Sequence, residues 1–335
     1  MDQQTRENNF VVFLKSLIPM LVALGKQLGV GGIAMFLGSF AKTAEVLAEY
    51  PDLDAEALTD LVSRRLLADE TFMGAITLST MLVLAIVFGI WFFMHPVSKT
   101  MNSTKSALPA KNVLLIIAAG IFTQLGISIL LTLILPLMPK LSNSYSETME
   151  GLSSGGPIVT IISVVFLAPF AEELIFRGLT MRSTIRQWRS FLLVNFLQAL
   201  YFGIYHMQPV QSVYAFLLGL ALGYVAFRLN NIFASMLFHA AINGSSFLVV
   251  MLPESIFENT LLLVLIGIVC IPIVIGLLYM LQLPTIAPVH TVPVSPVTPA
   301  APVAPGPVYG PEYTQNNIIT DENIVSDDNK NESDQ

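Results

Sequence analysis

Residues 157–178 read PIVTIISVVFLAPFAEELIFRG and place two adjacent carboxylates, Glu172 and Glu173, near the end of a long apolar block. A run of about 20 apolar residues is what a helix needs to cross the hydrocarbon core of a bilayer. Ionisable side chains are costly in such a helix, so those present usually mark a functional site or a buried pair. This stretch therefore predicts both a membrane fold and a polar site within it.

The whole chain has the composition of a membrane protein. Of its 335 residues, 54% are hydrophobic and only 12% are charged, and its mean hydropathy is +0.71, whereas soluble domains carry about a quarter charged residues. Apolar blocks lie at about residues 10–37, 72–94, 113–137, 157–176, 190–206, 211–227, 231–251 and 260–281. We therefore predict an all-α polytopic membrane protein with about eight transmembrane helices.

The lysines and arginines of the short connections predict the orientation, because basic connections stay on the cytoplasmic side. The connections 95–112 and 177–189 contain bases and no acids, whereas 138–156 and 252–259 carry more acids than bases. With eight spans, this alternation predicts that both termini are cytoplasmic. It also predicts that the acidic segment 42–70 forms an extracytoplasmic loop, in which a short amphipathic helix is expected.

The segment 283–335 differs from the rest of the chain. Proline recurs through its first half, and Asn, Asp and Glu dominate its second half. Such a composition cannot bury enough apolar surface to fold, so this segment is predicted to be a disordered, Pro-rich acidic tail. Most of the formal net charge of −7 lies here. The chain offers no basic surface for nucleic acid, so the predicted partners are the lipid bilayer and a protein or peptide within it.

The two adjacent carboxylates are expected to have different roles. Neighbouring helical positions point about 100° apart. Glu173 and Arg177 are four residues apart with the acid first, which is the favourable order for an ion pair. Glu173 is therefore assigned to a supporting pair with Arg177, and Glu172 is the free carboxylate.

Two of the four histidines lie in apolar blocks and, like Glu172, fall within the predicted membrane span. His206 ends the block 190–206, and His239 lies within the block 231–251, four residues before Asn243 on the same helical face. His95 and His290 lie at a helix end and in the tail, where no role is indicated. Polar groups from three predicted helices therefore converge inside the membrane.

These residue types suit hydrolysis of an amide. A carboxylate beside a histidine can deprotonate a water molecule, and a second histidine with an asparagine can donate hydrogen bonds to a developing oxyanion. Glu172, Glu173, His206 and His239 could also hold a divalent metal such as zinc, so metal dependence stays open at this point. Protonatable groups also serve in transport, but a carrier should show two similar halves and no internal repeat is visible.

Three motifs in order resemble the CPBP family, the CAAX prenyl protease and bacteriocin-processing proteins, also called type II CAAX prenyl endopeptidases. They are Glu-Glu-x-x-x-Arg at 172–177, Phe-x-x-x-His at 202–206 and His-x-x-x-Asn at 239–243. The resemblance implies an intramembrane endopeptidase with a conical cavity open toward the cytosol. It implies that Glu172 is the general base, that His206 positions the water, and that His239 and Asn243 form the oxyanion hole.

The domain organisation follows from these observations. Residues 1–156 form N-terminal helices, 157–251 the catalytic core, 252–282 the last transmembrane helix and 283–335 the tail. The expected substrate is a lipidated or membrane-associated protein or peptide, cleaved near its C-terminus or membrane segment. The tail is more typical of a bacterial member, which predicts a location in a bacterial cell membrane. The alternative is a non-catalytic immunity or scaffold protein of the same family. The metalloprotease label that the family often carries is also an expectation here.

Overall fold

The computed structural model describes residues 7–100 and 108–281, apart from the side chains at 99, 100 and 254. The predicted tail, Lys105 and residue 282 lie outside this part of the chain. The helices are α1 (Asn9–Glu49), α2 (Ala55–Leu67), α3 (Glu70–Met94), α4 (Ala110–Leu137), α5 (Pro139–Ser153), α6 (Gly156–Trp188), α7 (Phe191–Tyr205), α8 (Pro209–Arg228), α9 (Ile232–Val249), α10 (Glu254–Glu258) and α11 (Thr260–Tyr279). No strand occurs among the described residues.

The predicted all-α membrane fold is confirmed. Seven helices are long and apolar enough to cross a membrane, namely α1, α3, α4, α6, α8, α9 and α11. The eighth predicted span is α7, which has only 15 residues. At a rise of 1.5 Å per residue α7 is about 22 Å long, shorter than the roughly 30 Å hydrocarbon core. By its length alone α7 does not cross the full hydrocarbon core.

The segment predicted as an extracytoplasmic loop at 42–70 is mostly helical. Helix α1 continues past its apolar part to Glu49, for 41 residues in all, and ends before Pro51, because a residue that precedes proline disfavours the helical conformation. Helix α2 folds back beside it, with Arg65 bonded to Glu49 at 2.6 Å. Lys42 of α1 also pairs at 3.5 Å with Asp69, which directly precedes α3. The apolar pattern predicts the spanning part of α1 and does not mark where the helix ends.

Small residues let the helices around the site approach closely. A Cβ atom added to Gly219 on α8 would lie 2.8 Å from the Cα of Ala199 on α7, and one added to Gly120 on α4 would lie 2.6 Å from the Cβ of Ala241 on α9. Small residues at such crossings are typical of membrane helices, where tight packing has to replace the hydrophobic effect. The positions of α7 and α9 thus depend on these glycines.

Replacing Gly219 by valine is expected to lower thermal stability in detergent, because overpacking a tight contact costs about 1–3 kcal/mol. Gly276 on α11 is the matched control, since a Cβ there would meet no atom within 4 Å. The unfolding temperature of Gly276→Val should stay near that of the wild type. Equal unfolding temperatures for the two variants would contradict the close α7–α8 contact.

The two ends of the helix bundle differ in charge. At one end α6 and α8 finish and α7 and α9 begin, and we call it the arginine end. Its bases include Lys111, Arg182, Arg186, Arg189 and Arg228. We call the other end the acidic end. Helices α6 and α8 begin there and α7 and α9 finish there. Helices α2 and α5 also lie at this end. A Cβ at Gly74, near the start of α3, would lie 2.5 Å from the Cα of Gly155, just before α6, which places α2 at this end.

Candidate active site

Helix α6 carries the carboxylates and departs from regular α-helical geometry on both sides of them. The segments Ile161–Leu167 and Leu174–Met181 are π-helical, a form that is rare and frequent at functional sites. The N–H of Ala168 donates to the carbonyl of Ser163, and Pro169 has no N–H to donate. The carbonyl of Val164 is therefore left without the helical donors four and five residues ahead of it.

Asn243 supplies a donor for this carbonyl. Its Nδ2 donates to the carbonyl oxygen of Val164 at 2.8 Å. An unpaired buried carbonyl is costly, so the contact fixes α9 against α6 close to Glu172. Asn243 also lines the cavity described below. The sequence pattern predicted only a catalytic role for Asn243, and its contact with the backbone across 79 residues was missed.

Glu173 is fully buried and holds two partners. Arg177 Nη1 donates to Glu173 Oε1 at 2.7 Å, with both side chains at 0% exposure, so the predicted ion pair is present. His239 Nδ1 lies 3.0 Å from the same oxygen. An ionised carboxylate only accepts, which places a proton on Nδ1 of His239. Glu173 therefore orients His239 as well as pairing with Arg177, which the helical spacing alone did not predict.

His239 also approaches the other carboxylate. Its Nε2 lies 3.7 Å from Glu172 Oε2, beyond hydrogen-bond distance. With one proton fixed on Nδ1, a neutral His239 presents a lone pair at Nε2, and only the imidazolium form can donate there. An oxyanion role for His239 therefore requires the doubly protonated ring.

Arg177 is the centre of a buried layer of side chains next to the histidines. Its guanidinium lies 4.4 Å from the ring centroid of Phe202, a cation–π distance, and Nη2 donates to the carbonyl of Gly219 at 3.2 Å. The ring of Phe202 in turn meets the edges of His206 and His239, with centroids 4.7 and 5.7 Å away. Arg177 thus supports both histidines through Phe202.

Two amides on α7 complete this layer and were missed by the sequence analysis. Gln198 Nε2 donates to the carbonyl of Gly219 and to Asn195 Oδ1, both at 2.8 Å. Asn195 Nδ2 donates to the carbonyl of Leu220 at 3.1 Å. The available signal was a pair of amides three residues apart in an apolar block, which places them on one helical face. They join α7 to α8 beside the ion pair.

His206 lies directly after the short helix α7. Its Nδ1 lies 2.8 Å from the carbonyl oxygen of Phe202, and since a carbonyl only accepts, the proton is on Nδ1. The other ring nitrogen, Nε2, is then an acceptor. Met207 follows with a φ of 55°, a left-handed turn that lets α8 begin at Pro209. The turn thus ends α7 at the depth of the carboxylate.

A cavity of about 320 Å³ brings the four predicted catalytic residues together. Glu172, His206, His239 and Asn243 all line it. Glu173 and Arg177 are not among the described residues that line it, which separates the two adjacent carboxylates in space. Further polar lining comes from several helices, with Gln27, Thr77, Gln124, Ser128, Ser163, Gln211 and Ser246. A cavity with this lining within a membrane fold is suited to hold water.

Three of the four metal-ligand candidates, Glu172, His206 and His239, line the cavity, and Glu173 does not. Within residues 7–100 and 108–281, no group of three or more His, Cys, Asp or Glu side chains is arranged to hold a metal ion. Glu173 is engaged by Arg177 and His239. His206 and His239 donate from Nδ1 and present a lone pair at Nε2, as metal-binding histidines do, so metal dependence stays a prediction.

Comparison with known proteins agrees with the motifs. Residues 154–245 match the family model described as type II CAAX prenyl endopeptidase Rce1-like. No curated protein and no solved structure matches the chain. The matched segment contains all six residues predicted for the site, and it confirms the resemblance stated from the three motifs. Over residues 154–245 the chain is therefore similar to the Rce1-like type II CAAX prenyl endopeptidases.

Proposed function

We propose that the protein hydrolyses peptide bonds of membrane-associated proteins or peptides inside the bilayer, by water activated at Glu172. The observation that carries this proposal is the shared cavity, in which Glu172, His206, His239 and Asn243 meet within a membrane fold. The family model that residues 154–245 match is described as an endopeptidase, which agrees with the chemistry of the site.

In the proposed reaction, one water molecule lies between the Glu172 carboxylate and Nε2 of His206. Glu172 accepts a proton from this water as its oxygen attacks the carbonyl carbon of the scissile peptide bond. The carbonyl oxygen becomes an oxyanion, which receives hydrogen bonds from Asn243 and from His239 in its imidazolium form. The C–N bond then breaks, and Glu172 returns the proton to the leaving amine. Atoms and charges balance without a further reactant.

The experiment that tests this function compares peptides from cells that express the wild-type protein with peptides from cells that express Glu172→Gln. We expect specific fragments that occur only with the wild type. Identical peptide sets, at equal amounts of the two proteins in the membrane, would contradict the proposed hydrolysis. The fragments also supply a defined substrate for the purified enzyme.

Asn243→Ala is expected to lower turnover of that substrate by about 10²–10³-fold, the usual cost of losing one oxyanion donor. The Michaelis constant should change little, because this donor acts mainly in the transition state. Asn243→Asp should be more damaging when ionised, since it places negative charge where the oxyanion forms and cannot donate to the Val164 carbonyl.

The control for Asn243→Ala is Ser246→Ala, which changes another polar residue that lines the cavity from α9. The unfolding temperature of both variants should be measured, because Asn243 also bonds the backbone of α6. A folded Asn243→Ala variant with wild-type turnover would remove Asn243 from the oxyanion hole.

A further inference from the structure

The active-site cavity belongs to the acidic end of the bundle. Its lining comes from the first half of α6 and of α8 and from the second half of α9, all of which lie toward that end. Tyr145, Thr148 and Met149 of α5 complete the lining, and α5 is a polar helix with no buried residue. The cavity thus reaches the connection between α4 and α6.

The side toward the arginine end is closed by buried groups. Arg177, Phe176 and Phe202 are at most 1% exposed and lie between the carboxylates and that end. Two other cavities, of about 450 and 230 Å³, are lined by residues of the arginine end such as Arg186 and Arg182. Within the described part of the chain, neither is lined by any of the four residues assigned to catalysis.

Basic residues distinguish the two ends. Arginine and lysine accumulate at the arginine end, in the first turn of α4, the last turns of α6 and α8 and the connection to α7. The acidic end holds fewer bases, Lys42, Arg64, Arg65 and Lys140. The first three are bound to carboxylates at 3.5 Å or less. The positive-inside rule therefore places the arginine end in the cytoplasm.

Two expectations from the sequence are thereby incompatible. The loop charges predict a cytoplasmic arginine end, whereas the family resemblance implies a cavity open toward the cytosol. In the structure the cavity lies at the opposite end from the arginines. We infer that the charges prevail and that the cavity opens on the extracytoplasmic side of the membrane.

This inference rests on the proposed function and narrows its substrate class. The enzyme cleaves peptide segments that are presented on the extracytoplasmic side, such as the exported part of a membrane-bound protein or peptide. A prenylated C-terminus that stays in the cytosol does not reach Glu172. The amide and hydroxyl groups of Gln124, Ser128 and Gln211 in the lining are suited to bond the backbone of an extended peptide.

Single cysteines test the orientation in intact cells with a membrane-impermeant maleimide. Thr148→Cys places a thiol in the cavity lining and Thr59→Cys one on α2, whereas Gln187→Cys lies at the arginine end. All three changes are neutral, so they keep the charge difference that sets the orientation. The wild type is the blank, since its cysteine Cys270 is buried.

We expect labelling of the first two variants in intact cells, and of Gln187→Cys only after the membrane is permeabilised. Labelling of Gln187→Cys alone in intact cells would overturn the inference. The inference would also be overturned if Thr59→Cys is labelled in intact cells but Thr148→Cys reacts only after permeabilisation. The cavity would then not open on the extracytoplasmic side.

Side-specific cleavage separates this inference from the proposed function. Right-side-out and inside-out vesicles receive a mixture of water-soluble, internally quenched fluorescent peptides, with Glu172→Gln vesicles as background. We expect cleavage by right-side-out vesicles, and by inside-out vesicles only after detergent. Cleavage by intact inside-out vesicles alone would overturn the inference. If neither preparation cleaves in detergent while the labelling is as expected, the peptidase assignment fails and the orientation stands.

Discussion

Glu172→Gln is expected to remove peptide-bond cleavage, with a loss of at least about 10²–10⁴-fold in turnover, the range that a general base contributes. Glutamine keeps the shape of the side chain and its place in the cavity lining, but its amide cannot take a proton from water at neutral pH. Folded yield should change little, because Glu172 has no hydrogen bond in the structure that the fold requires and approaches His239 only at 3.7 Å.

The matched control is Glu150→Gln, the same chemical change at an exposed position on α5. It should retain wild-type turnover of the fragment-derived substrate. A Glu172→Gln protein that cleaves the same bond at the wild-type rate would exclude Glu172 as the base. If no cleavage is found and cells with Glu172→Gln behave like cells with the wild-type protein, the non-catalytic immunity or scaffold alternative gains support.

Glu173→Gln is expected to destabilise the protein, by about 3–5 kcal/mol, because removing one partner of a buried ion pair leaves the other charge uncompensated. Arg177 is 1% exposed, so its charge would be left buried beside a neutral amide. The measurement is the yield of folded protein in detergent together with its unfolding temperature. Glu150→Gln serves again as the control for the loss of one acid.

A double variant separates charge from shape at this position. Glu173→Leu with Arg177→Met removes both charges, and it should recover part of the stability lost by Glu173→Leu alone. The carbonyl of Gly219 keeps Gln198 as a donor when Arg177 is absent. Wild-type stability of Glu173→Gln, with lost turnover only, would contradict the supporting role of Glu173.

The structure also predicts that folded Glu173→Gln has reduced turnover. Glu173 accepts from Nδ1 of His239 and so orients the ring that is proposed to donate to the oxyanion. The two carboxylates are therefore linked through His239, although they lie on different sides of α6. The 100° helical offset predicts that the two carboxylates have separate roles. This holds for the cavity, which only Glu172 lines, but both carboxylates lie near His239.

The amino-acid sequence by itself determined the features that depend on composition and on neighbouring residues. Apolar blocks of spanning length predict the membrane helices, because backbone polar groups must be satisfied within each segment in lipid. The four-residue spacing predicts the Glu173–Arg177 pair and the common face of His239 and Asn243, because helical geometry is local. The family motifs are likewise short patterns that the sequence shows by itself.

Only the tertiary structure decided the relations between distant segments. The contacts of His239 with Glu173 and of Asn243 with Val164 join residues 66 and 79 positions apart, which no local period encodes. The short α7 and the glycines at its crossing with α8 place His206 in the cavity that Glu172 lines. The end at which the cavity lies depends on how seven long helices and one short helix pack, and packing is set by side-chain shape across the whole bundle.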